Sequence, residues 1–152
     1  STVPFPPQPF PHRLVPLGQQ VRPDARLGHA FVPGIHRRVP HEHGAYFSAT
    51  NAQGFREDHD LDRPPAGFRV LCYGDSYAAG DGVDNCERFS ALVAAQLGLA
   101  VSNVAVPGHG PDQNLLQLES GVLPRPDLIL WCIAVHTIER IQSGHRITID
   151  RE

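Results

Sequence analysis

Phe68-Arg69-Val70-Leu71-Cys72-Tyr73-Gly74-Asp75-Ser76 is the stretch on which the fold turns. Phe68 to Tyr73 is a short apolar run of the kind a buried parallel strand shows, and Gly74 stops it. Downstream the pattern repeats. Glu87 to Leu97 places Phe89, Leu92, Val93 and Leu97 at helical spacing, after Asp84-Asn85 as caps and before Gly98 as a stop, which predicts a crossover helix. Val101 to Val106 predicts a second strand. Pro111-Asp112 opens a second helix whose apolar face is Leu115, Leu116 and Leu118, ending at Gly121.

Asp127-Leu-Ile-Leu-Trp-Cys-Ile-Ala-Val135 is the most apolar stretch of the chain and is expected to be a central strand buried on both faces. Three strands alternating with two helices make a right-handed parallel α/β unit. His145-Arg-Ile-Thr-Ile-Asp150 alternates polar and apolar residues, as a half-exposed strand does, and the domain is expected to stop early, near Glu152.

Upstream the texture differs. Residues 1–67 hold eleven of the fifteen prolines and little periodicity, which predicts an extended Pro-rich arm that forms no core of its own. Its opening, from Val3 to Pro11, fits either a disordered tail or a strap laid in a partner's groove. Within the arm, Ala45 to Thr50 reads as a short strand and Asn51 to Gly54 as the turn after it, with Pro64-Pro65 marking the boundary to the α/β part at residues 68–152.

A chain of 152 residues supports one modest domain. Thirteen Arg against sixteen acidic residues give a net charge of −3 without a block of like charges, which argues against nucleic acid as a partner. There is neither Lys nor Met, so either an initiator was removed before Ser1 or an upstream segment precedes it. No apolar run approaches the roughly 18 residues of a membrane span. Cys72, Cys86 and Cys132 fit neither a disulfide framework nor a zinc site, and Cys72 and Cys132 read as core thiols.

In open α/β sheets, reactive groups gather beyond the carboxyl ends of the strands. Three loops fall there: Gly74-Asp75-Ser76, Pro107-Gly108-His109-Gly110 and His136-Thr137. A serine where a strand reverses into a helix can present its hydroxyl to the crevice while backbone N–H groups face a developing anion, so Ser76 is a nucleophile by position. The plain alternative is that Asp75-Ser76 only caps a helix.

Arg69-Val-Leu-Cys-Tyr-Gly-Asp-Ser-Tyr-Ala-Ala-Gly-Asp-Gly-Val83 resembles the first motif of the SGNH (GDSL-like) hydrolases. Asn103-Val-Ala-Val-Pro-Gly-His-Gly-Pro-Asp-Gln113 resembles the second, with Gly108 at the glycine whose N–H helps form the oxyanion hole. Asn51-Ala-Gln-Gly-Phe-Arg56 resembles a segment that precedes the catalytic domain in bacterial members. The resemblance spans about residue 45 to the end and implies a partial three-layer α/β/α, flavodoxin-like parallel sheet, serine esterase chemistry on an acylated carbohydrate or similar ester, and an extracytoplasmic or membrane-associated bacterial setting.

The third motif departs from the pattern. Pro126 to Arg140 aligns with a family strand that ends in Asn-Asp, and here the pair is His136-Thr137. Losing one oxyanion-hole donor costs about 10²- to 10³-fold in rate, although the His136 ring could donate in its place. The fourth motif, an Asp-x-x-His that supplies the general base, is absent, and a serine without a base is a weak nucleophile. His109 or His136 could take the proton at an ordinary pKa of about 6.5, although the family's base approaches from the missing strand.

Other titratable groups carry less. His41-Glu42-His43 has the i, i+2 spacing of two ligands on one strand face, but Pro40, Gly44 and the lack of a third marked ligand favour a solvated loop, so neither metal nor cofactor is expected. His12, His29, His36 and His59 add no spacing of their own, and Asp81, Asp84 and Asp112 read as loop and cap residues. A nucleotide-binding flavodoxin-like module is disfavoured because the first loop lacks a glycine-rich phosphate cradle.

Two readings stay open. The chain is part of an esterase with Ser76 as nucleophile and its base on a missing half or a second polypeptide, or it is a degenerate scaffold acting as a binding or structural subunit. Truncation explains the missing Asp-x-x-His but not His136-Thr137, which favours the scaffold. An incomplete sheet exposes an edge, so another protein chain is expected to cover that edge and take the Pro-rich arm.

Overall fold

The computed structural model describes residues 20–42, 44–135 and 137. The Pro-rich opening, His12, His43, His136 and the strand expected at 145–150 lie outside the described residues.

A three-stranded parallel sheet forms the centre. β5 (Arg69–Tyr73) runs between β6 (Ala100–Asn103) and β7 (Leu128–Trp131), with Leu71 opposite Ser102 on one side and Ile129 on the other. Alternation along β5 divides the core. Leu71 and Tyr73 pack with Leu61 and Val104 on one face, and Val70 and Cys72 with Val101 on the other. Each such side chain contributes about 1.5–3 kcal/mol by leaving water. Strands and helices therefore combine as an α/β fold.

The central strand is β5, not the more apolar β7. Leu128, Ile129 and Leu130 of β7 are 50%, 38% and 42% exposed, and among the described residues no strand pairs with its outer side. An apolar run reports that a strand wants cover on both faces; it carries no information about which position in the sheet supplies that cover.

The helices follow the sheet with two differences from expectation. α1 (Ser76–Ala79) is a single turn after β5. A 3₁₀ turn over Asn85–Glu87, closed by a reciprocal cap between Asp84 and Glu87, leads through Arg88 into α2 (Phe89–Leu97). Ser90 of α2 is buried, whereas the apolar set Phe89, Leu92, Val93 and Leu97 faces outward. In α3 (Pro111–Glu119) the buried residues are Gln113, Asn114 and Gln117, and Leu115 is exposed. Polar side chains turn inward here because backbone groups await them: Gln113 Nε2 donates to Leu27 O and Gln117 Nε2 to Val104 O.

Residues 20–50 correct the expectation of an extended arm with one short strand. They form two antiparallel hairpins, β1 (Val21–Asp24) with β2 (Gly28–Phe31) and β3 (His36–His41) with β4 (Gly44–Ala49). Pro23 and Pro40 sit inside β1 and β3. In a two-stranded ribbon every strand is an edge, so a proline's missing N–H can face away from the partner without breaking the ladder. The Asp24 carboxylate closes the first hairpin by accepting from Arg26 and Leu27 N–H. Asn51 shapes the turn after β4, its Oδ1 accepting from Gln53 and Phe55 N–H.

Candidate functional site

β5 delivers the chain to Gly74, where space decides the residue. A Cβ there would lie 2.4 Å from the Ala78 methyl and 3.0 Å from Cys132 O, so only glycine lets β5, α1 and the end of β7 converge. Asp75 comes next as the cap of α1, buried, its carboxylate accepting from Tyr77 N–H at 3.0 Å. Ser76 is then half-buried at the carboxyl end of the central strand, beside an exposed Tyr77. Among the described residues, the Ser76 hydroxyl makes no hydrogen bond to a histidine or a carboxylate.

The turn carrying Ser76 is clamped from the N-terminal segment by Arg56, which is 1% exposed. Its guanidinium donates to Asn85 Oδ1 (3.0 Å), Ala79 O (3.0 Å), Gly80 O (2.8 Å) and Val83 O (2.8 Å), with a longer bond to Phe47 O. The Tyr46 ring lies 5.0 Å from the same group, and Tyr46 OH donates to Asp81 Oδ1. Burial, and after it the nearby Arg88 charge, pulls the Arg56 pKa down to about 10, still leaving it charged at neutral pH. The Asn-x-x-Gly-Phe-Arg segment thus ends in a residue that fixes the loop after α1.

On the neighbouring strand, Asn103 is buried and spends all of its side chain. Its amide donates to Ala78 O and Ser90 Oγ, and its oxygen accepts from Ala105 N–H. Gly108 lies in the loop beyond β6 with φ of +81°, a left-handed conformation that favours glycine, and a Cβ there would meet the His29 ring at 3.5 Å. His29 Nε2 lies 2.7 Å from Pro107 O, and His109 Nε2 lies 2.9 Å from His29 O. Carbonyl oxygens only accept, so both Nε2 atoms carry protons. The two rings meet edge to face at 4.9 Å. His109, which is 0% exposed, thereby ties the loop beyond β6 to the β1–β2 hairpin through Nε2. His136 lies outside the described residues. Its neighbour Thr137 is buried, its hydroxyl donating to Ala134 O in the turn beyond β7.

Sequence reasoning passed over a second polar cluster. Glu57, 7% exposed, accepts from Arg88 Nη2 at 3.3 Å and from Asn103 N–H at 2.6 Å. Burial pushes its carboxyl up to about 7, against the pull of Arg88 and the Asn103 N–H. His59 bridges Glu57 Oε2 (3.9 Å) and Ser102 Oγ (3.1 Å). This serine–histidine–glutamate order is that of a hydrolytic triad, but Ser102 is 3% exposed and the adjoining void holds about 10 Å³. That is about the room of one water, and the cluster as it stands ties residues 57–59 to β6 and Arg88. The only sequence signal for it was position: Glu57 and His59 come directly after Arg56.

His41 packs its ring over Gly82 and edge-on to Tyr46, and among the described residues no group of three or more His, Cys, Asp and Glu could hold a metal ion. Asp81 and Asp84 act as loop and cap residues and Asp112 lies in the first turn of α3. Cys72 is a core thiol, raised to about 12 by burial, while Cys132 is only partly buried. Among the described residues no helix is long and apolar enough to cross a membrane. The chain matches no protein-family model and no curated protein.

Proposed function

We propose that this chain is a degenerate SGNH-hydrolase-like scaffold that works as a binding subunit of a larger assembly, with a partner protein covering the outer edge of the sheet. One observation carries the reading: β7 is an edge strand among the described residues and leaves Leu128, Ile129 and Leu130 exposed, with Ile133 and Val135 beyond them 53% and 85% exposed. An apolar, unpaired edge is an association surface. Further support comes from the site's chemistry: among the described residues the Ser76 hydroxyl has no hydrogen bond to a histidine or a carboxylate, His109 Nε2 is bonded to the hairpin, and His136-Thr137 stands where the third motif has Asn-Asp. A three-layer SGNH arrangement and an extracytoplasmic or membrane-associated bacterial setting belong to the same proposal.

A second reading keeps the enzyme, and a specific observation favours it. Gly74, Asp75 and Arg56 together build a rigid turn that presents Ser76 at the carboxyl end of β5. With a base brought by another chain or segment, Ser76 would attack an acyl ester. The discriminating experiment is to treat the native assembly with a fluorophosphonate probe and to measure its intact mass. An unlabelled chain in a hetero-assembly that Leu130→Glu disrupts supports the scaffold. Labelling that disappears in Ser76→Ala overturns it in favour of the esterase.

A further inference from the structure

A cavity opens away from Ser76. About 780 Å³ opens between the β1–β2 hairpin, the 53–62 loop and the C-terminal half of α3, and neither Ser76 nor Gly108 lines it. This is the size of a small-molecule site. Period-2 alternation puts Arg22, Asp24 and Ala30 on the hairpin face that looks into it, Arg22 and Ala30 being register partners. Its walls are apolar, formed by Leu27, Phe55, Leu116 and Leu123.

The charged groups at its mouth are not equivalent. Asp24 is already engaged by the Arg26 and Leu27 N–H groups, which hold its carboxyl below the usual range, and Asp62 Oδ1 accepts from Gln53 Nε2. Arg22 and Arg26 make neither an ion pair nor a side-chain hydrogen bond among the described residues. The four charges cancel at a distance, but at contact the two guanidiniums bring unspent donors in the geometry that suits a carboxylate or phosphate. The sequence of residues 1–19 contains no acidic residue and carries Arg13, so it offers no charge complement to two guanidiniums.

We infer that the cavity between the first hairpin and α3 binds an amphipathic anion, a ligand with an aliphatic body and one carboxylate, its chain against Phe55 and Leu116 and its charge on Arg22 and Arg26. The site is separate from Ser76 and stands whether or not Ser76 is active.

Isothermal titration calorimetry of the full chain with sodium decanoate tests this, with decanol and decylammonium as the uncharged and cationic comparators. Decanoate is expected to bind at least about tenfold more tightly than either, since a charge-assisted contact is worth roughly one decade of affinity. The double variant Arg22→Ala/Arg26→Ala removes that preference, Ala30→Trp reduces binding of decanoate and decanol alike by filling the cavity, and Arg38→Ala on β3 changes neither. Absence of decanoate binding, equal binding of all three ligands, or a decanoate preference that survives Arg22→Ala/Arg26→Ala overturns the inference.

Discussion

Replacing Arg56 by methionine keeps the aliphatic stem and removes only the guanidinium. Four bonds of 2.8–3.0 Å then vanish, and with them the sole side-chain partner of the Ala79, Gly80 and Val83 carbonyls among the described residues. Hydrogen bonds to a charged donor are worth about 1.5–3 kcal/mol each, but they do not sum. Burying the guanidinium already costs part of that gain, as its depressed pKa of about 10 records. Breaking a buried charged network from one side typically costs about 3–5 kcal/mol. We expect Arg56→Met to lose about 4 kcal/mol, a large part of the 5–15 kcal/mol typical of a domain. The melting temperature then falls by roughly 10 °C for a chain of this size. Urea unfolding monitored by circular dichroism reads the loss as a shift in midpoint at constant slope. Arg56→Lys, with the charge but not the fork, is expected to recover less than half. A loss below about 1 kcal/mol in Arg56→Met would refute the idea that this residue clamps the Ser76 turn.

Three further outcomes are expected. Gly74→Ala drives a methyl into Ala78 and Cys132, backbone and methyl contacts that cannot rotate away, and should cost about 3 kcal/mol, with amide exchange rising first in β5 and β7; unchanged exchange there would contradict the close approach. Glu57, faced by Arg88, His59 and Asp58, keeps its proton up to about pH 7 in the folded state but releases it near its ordinary value of about 4.3 when unfolded. The folded state therefore binds more protons between those values, so stability relative to Glu57→Gln falls as pH rises from 5 to 8. His59, lowered by burial, acts in the opposite sense below about 6.5, which is why the difference between the two proteins is the quantity to measure; a flat difference sinks the assignment. Finally, His29→Ala removes the donor to Pro107 O and the ring against Gly108, and should loosen the first hairpin, seen as faster exchange of the β1–β2 amides with the central sheet unchanged.

Much of the fold was legible because periodicity is local. The run to Tyr73, the stop at Gly74, the helix-forming stretches from Phe89 and Pro111 and the turn at Asn51 each arise from a few neighbouring residues, and each appears where those residues lie. The hairpins of residues 20–50 were hidden because proline density argues against strands, a rule that fails in ribbons made only of edges. The candidate site shows the same division. Ser76 and Gly108 stood out by position and resemblance, whereas the commitment of His109 to His29 O depends on a hairpin eighty residues away in sequence.

By itself, then, the sequence determined the strand and helix segments from Phe68 to Trp131, that they alternate as an α/β unit, and that Ser76 comes after a strand in a tight turn. Only the tertiary structure decided that β5 rather than β7 is central among the described strands, that polar faces of α3 turn inward, and that Arg56, Glu57 and Asn103 bind distant elements together. The reason is physical. Secondary structure arises from steric and apolar patterns within a turn or two of the chain, but burial and hydrogen-bond satisfaction depend on which backbone groups arrive from elsewhere, and no local pattern encodes that arrival.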